Sequence, residues 1–484
     1  MTSSKQYEAV IGLEVHAQLA TNSKLFCSDA TSYGASPNTQ ISPITMGHPG
    51  SLPKTNKKAV EFAIKMGLAC GSSIVKENYF ARKNYFYPDL PKGYQISQFD
   101  EPICERGHVD FYMDGTKRTV GLKRIHMEED AGKNLHDSRT SSSLVDLNRA
   151  GVPLLEVVSE PEIHSPAEAA AYLKAIRQLV RYLGISDGNM EEGSLRCDAN
   201  ISLRPVGELK FGTRTEIKNL NSFKFVERAL EYEIARKTAI LKAGNKVVQQ
   251  TLLFDSENGS TRPMRSKEES ADYRYFPDPD LPPVVVEESW IQDVKGRLPR
   301  MPSEWSTELV NEYGLSLYDA TVLTAERAFV EFYHQVVASC GNAKAACNWV
   351  TSEFFGALNK AGLEIEHSPI KATDLGELIK LVENDTISGK MAKSVFEEMF
   401  ATGKTPGVIV DEKGLKQLSN DDEILTIIRK EFDSNPGQLA GYLGGNDRLH
   451  GFFVGQVMKA TGGSANPKKV NDLIRQEAEA RKGS

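Results

Sequence analysis

The chain of 484 residues is 40% apolar and 25% charged, with a formal net charge of −7 and a pI near 5.9. That composition excludes a mainly disordered chain, and the acid excess excludes a general coat for nucleic acid, although a local basic patch would be hidden in the sum. No apolar run approaches the roughly 20 residues of a membrane span. The start, Met1 to Tyr7, has neither the apolar core of a secretory signal nor the arginines of a transit peptide. The six cysteines (Cys27, Cys70, Cys104, Cys197, Cys340, Cys347) are scattered with no C-x-x-C pair, so a reducing cytoplasm is the expected compartment. At about 150 residues per domain, the length predicts about three domains.

The first part, to about Pro299, is rich in short β-like runs, Gly and Pro. In Val10–Gln18 the alternation of a strand puts Ile11, Leu13 and Val15 on one face and Glu14 and His16 on the other. A carboxylate and an imidazole two residues apart can hold one cation; a solvated strand face is the other reading. The cation- and aromatic-rich run Arg82–Gln98 reads as a base-stacking surface, a polar tunnel wall or a plain loop. Gly121–Ile125 predicts a strand, and just beyond it Glu128, Glu129 and Asp130 form a row of carboxylates of the kind that holds Mg²⁺ beside phosphates. Leu154–Val158 predicts an apolar strand centred on Glu156. Burying that carboxylate bare would cost several kcal/mol, so it needs a partner: a cation or a buried salt bridge.

Ser165, with Pro166 behind it, opens a helix predicted to Leu183. Ser194–Arg204 alternates sharply. Leu195, Cys197, Ala199, Ile201 and Leu203 share one face, and Arg196, Asp198, Asn200, Ser202 and Arg204 the other, suited to phosphate and metal or simply to water. Thr213–Lys218 repeats the alternation with Arg214, Glu216 and Lys218. A second helix is predicted from about Ser222 to Ala243, stopping at Gly244. Strands and helices without regular βαβ alternation indicate α+β. Beyond about Pro302 the pattern turns helical, as in Leu375, Leu378, Ile379 and Val382. Pro406-Gly407 reads as a hinge, and the last helix opens at Asn466-Pro467. The expected domains are 1–295, 296–405 and 406–484. From Arg448 onward seven cations face three acids, a net of +4 in an acidic chain.

Several chemistries are absent. Gly403-Lys404-Thr405 is no phosphate loop, because Glu398 stands where the upstream Gly would be. No Gly-rich dinucleotide motif follows a strand. Lys390–Ser394 lies in a helical stretch and is no synthetase loop. There is no Ser-rich amidase signature and no Cys–His pair, so the chain is not expected to make ammonia from glutamine itself.

Val10–His16, Arg82–Gln98, His126–Lys133, Val145–Arg149, Met190–Arg204, Lys218–Ser222 and Asp272–Pro277, in this order, resemble the GatB family, the B subunits of the aspartyl/glutamyl-tRNA(Asn/Gln) amidotransferases. The resemblance spans essentially the whole chain. It implies a catalytic domain with a curved antiparallel sheet similar to the glutamine synthetase fold, followed by two all-α domains. It implies ATP- and Mg²⁺-dependent phosphorylation of the side-chain carboxylate of Glu or Asp misacylated on tRNA(Gln) or tRNA(Asn). Amidation then uses ammonia from the glutaminase (A) subunit, which a small (C) subunit holds in place within a heterotrimer. By resemblance, metal ligands fall among Glu14, His16, Glu128, Glu129, Glu156 and Glu216, with Glu129 and Glu156 expected to hold the catalytic Mg²⁺ and His16 to act beside them. Arg196, Asp198, Asn200 and Lys218 are expected at ATP or phosphate; Lys83, Tyr85, Lys92 and Tyr94 at the ammonia path; Arg448, Lys459, Lys468, Lys469 and Arg475 at the tRNA. Many relatives carry a four-cysteine zinc knuckle. Here those positions are Cys27, Asp29, Ser42 and Thr45, so zinc is not expected and packing is expected to hold the loop. Two further readings are a free-standing ligase of glutamine synthetase type and an RNA-binding adaptor whose acids are structural.

Overall fold

The computed structural model describes residues 6–137, 142–264, 273–415, 418 and 420–482; Asp272 of the Asp272–Pro277 motif lies outside them. Contacts divide the chain into two units, 1–302 and 303–484. The first is built on a sheet of thirteen strands among the described residues. Ten of these are β1 (Tyr7–Gln18), β2 (Ala81–Asn84), β3 (Tyr94–Ser97), β4 (Thr116–Glu129), β5 (Pro153–Ser159), β6 (Leu195–Pro205), β7 (Thr215–Leu220), β8 (Gln250–Asp255), β9 (Ser260–Pro263) and β10 (Phe276–Pro277). Their order across the sheet is β9-β8-β7-β6-β1-β5-β4-β3-β2-β10. Neighbours are antiparallel except β7 and β8, which are parallel, so the expectation of a wholly antiparallel sheet is corrected at that pair.

Alternation decides which face is which. Ile11, Leu13, Val15 and Ala17 of β1 and Leu195, Cys197, Ala199, Ile201 and Leu203 of β6 are buried on the back. Three helices help cover that face: α1 (Lys57–Ala69), α2 (Pro166–Tyr182) and α3 (Phe223–Lys242). Ser165 accepts from the Glu168 amide and Pro166 occupies the first helical position; Ser222 caps α3 in the same way. Gly244, at φ 79°, ends α3 where a side chain would be strained. The polar face of the sheet is left open.

Lys237 of α3 is fully buried, and its ammonium donates to the carbonyls of Ile201 and Thr213. It clips the helix to the strand that presents Asp198 and Asn200 on the other side. Burial pushes its pKa down to about 8, partly offset by Glu233.

The second unit is helical with two separate cores. One runs from Leu309 to Val410 and the other from Ile424 to Ala478. Leu375, Leu378 and Ile379 are buried along the helix Ala372–Glu383, as their spacing predicts. Pro406 is not a hinge: it opens the helix Pro406–Lys413, whose Ile409 and Val410 belong to the first core. No helix among the described residues is long and apolar enough to cross a membrane, and all six cysteines are free.

A depressed lysine pKa penalises folding wherever the unfolded chain would hold the proton. Stability is therefore expected to rise with pH between about 8 and 10.5 through Lys237, by up to about 1.4 kcal/mol per pH unit, and to be insensitive to it below. Urea unfolding across that range should show a shallower slope for Lys237→Met than for the parent chain; identical slopes would refute the assignment.

Candidate active site

The open face is organised by the register of its central strands. His16 of β1 faces Glu156 of β5 on one side and Arg196 of β6 on the other, and Glu156 in turn faces His126 of β4. The adjoining row pairs Glu14 with Asp198, and the next pairs Gly12 with Asn200 and Asn200 with Glu216. Directly opposed side chains lie about 5 Å apart at Cβ. Antiparallel pairing therefore stacks acids, imidazoles and cations from five strands into one wall. They line a cavity of about 930 Å³.

Two clusters occupy that wall. In the first, ligand atoms of His16, Glu128 and Glu156 lie within 4.8 Å of one another. His16 Nε2 is 3.4 Å from Glu156 Oε2 and 3.7 Å from Glu128 Oε1. Burial opposes a charge on His16, but its hydrogen bond to Glu156 and the charges of Glu156 and Glu128 raise its pKa to about 9. Burial likewise opposes ionisation of Glu156, yet His126 and His16 hold its carboxyl well below the usual range. One imidazole and two carboxylates converging from three strands are a donor set suited to a divalent cation.

In the second cluster Glu14 is pushed up, first by burial and then by Glu156, Glu216 and Asp198. Asn200 donates to it at 2.9 Å. Lys218 bridges Asp198 at 2.6 Å and Glu216 at 2.8 Å, and Thr251 donates to Glu216. Lys218 compensates Asp198 and Glu216 but not Glu14. Arg196 forms an ion pair with Asp130 at 2.8 Å, while its Nε has no hydrogen-bond partner among the described residues.

The structure thus brings together Glu14, His16, Glu128, Glu156, Arg196, Asp198, Asn200, Glu216 and Lys218, with Lys83 and Tyr85 on the same cavity. It does not bring Glu129 to them. Glu128 and Glu129 are consecutive on β4 and take opposite sides. Glu129 accepts from Lys92 at 2.7 Å and from the Ile96 amide at 2.8 Å. It lines a second cavity, of about 260 Å³, with Lys92 and Tyr94. The four residues expected on the ammonia path are therefore split between two cavities. Lys83 lies over the Tyr273 ring at 5.0 Å. Burial opposes its charge, which Glu128 and other neighbours restore. Among the expected tRNA contacts, Arg448, Lys459, Lys468 and Arg475 are exposed, whereas Lys469 pairs with Asp421 at 2.8 Å. Sequence reasoning missed His126 and Arg124, although alternation back from Glu128 puts both on the acid face.

The four knuckle positions still converge. Cys27 Sγ is 3.4 Å from Thr45 Oγ1, Thr45 donates to Asp29, and the nearby Ser42 helps to hold the Asp29 carboxyl below its ordinary pKa. Hydrogen bonds join three of these positions.

A sheet with one helix-covered face and one open face of clustered acids and cations is a catalytic domain of the α+β class. Residues 9–292 match the family described as GatB/GatE catalytic domain, and residues 331–477 match the GatB domain. The chain belongs to the GatB family. It is similar to proteins named as the B subunit of aspartyl/glutamyl-tRNA(Asn/Gln) amidotransferase. The one from Trichlorobacter lovleyi is 55% identical over 472 residues, covering 98% of this chain and 99% of the relative. The one from Thermodesulfovibrio yellowstonii is 54% identical over 469 residues, covering 97% and 98%.

Removing one partner of a buried ion pair leaves the other charge stranded, at a cost of about 3–5 kcal/mol. Glu129→Gln is expected to destabilise the chain by about that amount, with Lys92→Met/Glu129→Gln recovering most of it. Chemical unfolding of the three proteins measures this; a silent single substitution would mean that the pair contributes nothing.

Proposed function

We propose that this chain phosphorylates the side-chain carboxylate of Glu on tRNA(Gln), of Asp on tRNA(Asn), or of both, at the expense of ATP, and then amidates it. Ammonia comes from a glutaminase partner held by a small third protein of the complex. The observation that carries the reading is the convergence of His16, Glu128 and Glu156 beside the acid pair Glu14 and Asp198, in a chain of this family.

The chemistry explains the need for ATP. A carboxylate is anionic, and attack by ammonia would have to expel oxide. Transfer of the γ-phosphoryl group to a carboxylate oxygen turns that oxygen into part of a phosphate leaving group. Ammonia then attacks the acyl carbon, phosphate departs, and the amide remains after proton loss. His16, Glu128 and Glu156 would hold Mg²⁺, with Glu14 and Glu216 on the same wall. Metal bound there would supply positive charge against the phosphates during in-line transfer. Arg196, Lys218 and Asn200 orient the phosphates, and Arg124 adds a guanidinium to the same wall. No phosphate loop is required, which suits the glutamine synthetase-like sheet that the resemblance implies. Lys83 and Tyr85 sit where ammonia would meet the activated acyl group. Lys92, Tyr94 and Glu129 line the approach on the other side of β4, so Glu129 belongs to ammonia delivery rather than to the metal.

Replacing Glu156 by Gln keeps shape and removes charge. In the complex with both partners, amidation of misacylated tRNA is expected to fall roughly a thousandfold, equivalent to several kcal/mol of transition-state stabilisation, with glutamine hydrolysis spared. Near-parental amidation would overturn the reading.

The tail is proposed to grip the body of the tRNA through Arg448, Lys459, Lys468 and Arg475. Because Ile409 and Val410 serve the first helical core, the truncation that tests this starts after Gly414. Loss of residues 415–484 should weaken tRNA binding and flatten its salt dependence, by a log–log slope of about 0.7–0.9 for each phosphate no longer neutralised. Equal affinities and slopes across a salt series would reject it.

A further inference from the structure

We propose that His126 is a positioning residue: its Nε2–H holds the Glu156 carboxylate in place for the ligand set His16, Glu128 and Glu156. The inference rests on the metal reading given above.

Glu156 stands between two imidazoles on neighbouring strands. His16 Nε2 and His126 Nε2 lie 3.4 and 3.2 Å from the same oxygen, Oε2. The two rings are not equivalent. The His16 side chain is 18% exposed and opens on the cavity, whereas that of His126 is 2% exposed. His126 Nε2 is farther, at 3.9 Å, from Glu128 Oε2. The compact donor set is formed by His16, Glu128 and Glu156 without His126.

The other nitrogen of His126 decides its chemistry. Nδ1 is buried and has no hydrogen-bond partner among the described residues. A proton there would be a buried N–H with no acceptor, and would leave the Nε2 lone pair facing a carboxylate oxygen. The opposite tautomer places the proton between Nε2 and Glu156 and avoids both penalties. The geometry therefore makes His126 a donor to Glu156, while His16 is the imidazole that opens on the cavity.

A glutamate side chain has three rotatable bonds, and ordering it for a metal costs conformational freedom. Leu155 and Val157, its chain neighbours, are buried on the other face of the sheet and give its head group no bond. Glu128 receives a long bond from Ser97, at 3.4 Å. His126 is the donor that fixes Glu156 beforehand, as outer groups around metal ligands do, at a typical worth of 10–100-fold in metal affinity.

The test uses the full chain and Mn²⁺ as the probe, with affinity measured by electron paramagnetic resonance and metal-bound nitrogen by electron spin echo modulation. A Gln amide reaches close to the Nε2 position and an Asn amide does not. His126→Gln is expected to retain Mn²⁺ affinity within about threefold, while His126→Asn and His126→Leu lose about tenfold or more. The modulation should show one imidazole nitrogen, abolished in His16→Ala and kept in His126→Leu. If His126→Leu does not fold, the comparison of Gln with Asn decides. Unchanged affinity in both His126→Asn and His126→Leu overturns the proposal. So do two bound imidazole nitrogens falling to one in His126→Leu, which would make His126 a ligand. Mn²⁺ affinity unmoved by both His16→Ala and Glu156→Gln would defeat the underlying metal reading, and this inference with it.

Discussion

A slip of one residue between β1 and β5 would turn Glu14 and His16 toward the helices and put Ile11, Leu13 and Val15 in water. Strand register is fixed most firmly where one face is buried, and here the back face is buried on β1, β4, β5 and β6. The apolar core under α1, α2 and α3 thus holds the polar wall in alignment. His16, Glu156 and His126 meet because three apolar strands can pack in only one phase. The helices contribute to the chemistry indirectly, and Lys237 reaches from α3 to the back of the strand that carries Asp198.

The wall is not electrostatically content. Lys218 serves two carboxylates and Arg196 is tied to Asp130, but Glu14 has an amide donor and the charge of His16 against three acidic neighbours. Charge of one sign in a concave, poorly solvated surface gathers counter-ions. A cation held at this wall would offset part of that charge. A site of this kind lowers stability for the sake of function, and the folded unit supports it with a large apolar face behind.

Much of this was legible in the residues. The shared face of Glu14 and His16, the polar front and apolar back of β6, and the need of Glu156 for a partner all follow from period-two alternation. What the residues hid was phase. Three consecutive carboxylates, Glu128, Glu129 and Asp130, look alike in a row, and only the pairing of β4 with β5 decides which side each takes. The partner of Glu129 was hidden because Lys92 comes from a distant loop segment. His126 was overlooked for the opposite reason: the acids beside it drew the attention, although the same alternation that places Glu128 also places His126. In the helical part, Pro406 punctuated the chain as a break would, but proline is equally at home in a first turn. The burial of Ile409 and Val410 settles which it is.

Glu128 and Glu129 face two different cavities and are joined by a single peptide unit. That unit is planar and stiff, with consecutive Cα atoms about 3.8 Å apart. It fixes the two carboxylates on opposite sides of one strand, so neither can change side without the other. The same linkage restricts what mutation can do. A residue inserted or deleted at this point would exchange the two carboxylates between chambers, so this stretch of β4 can vary in side chain but not in length.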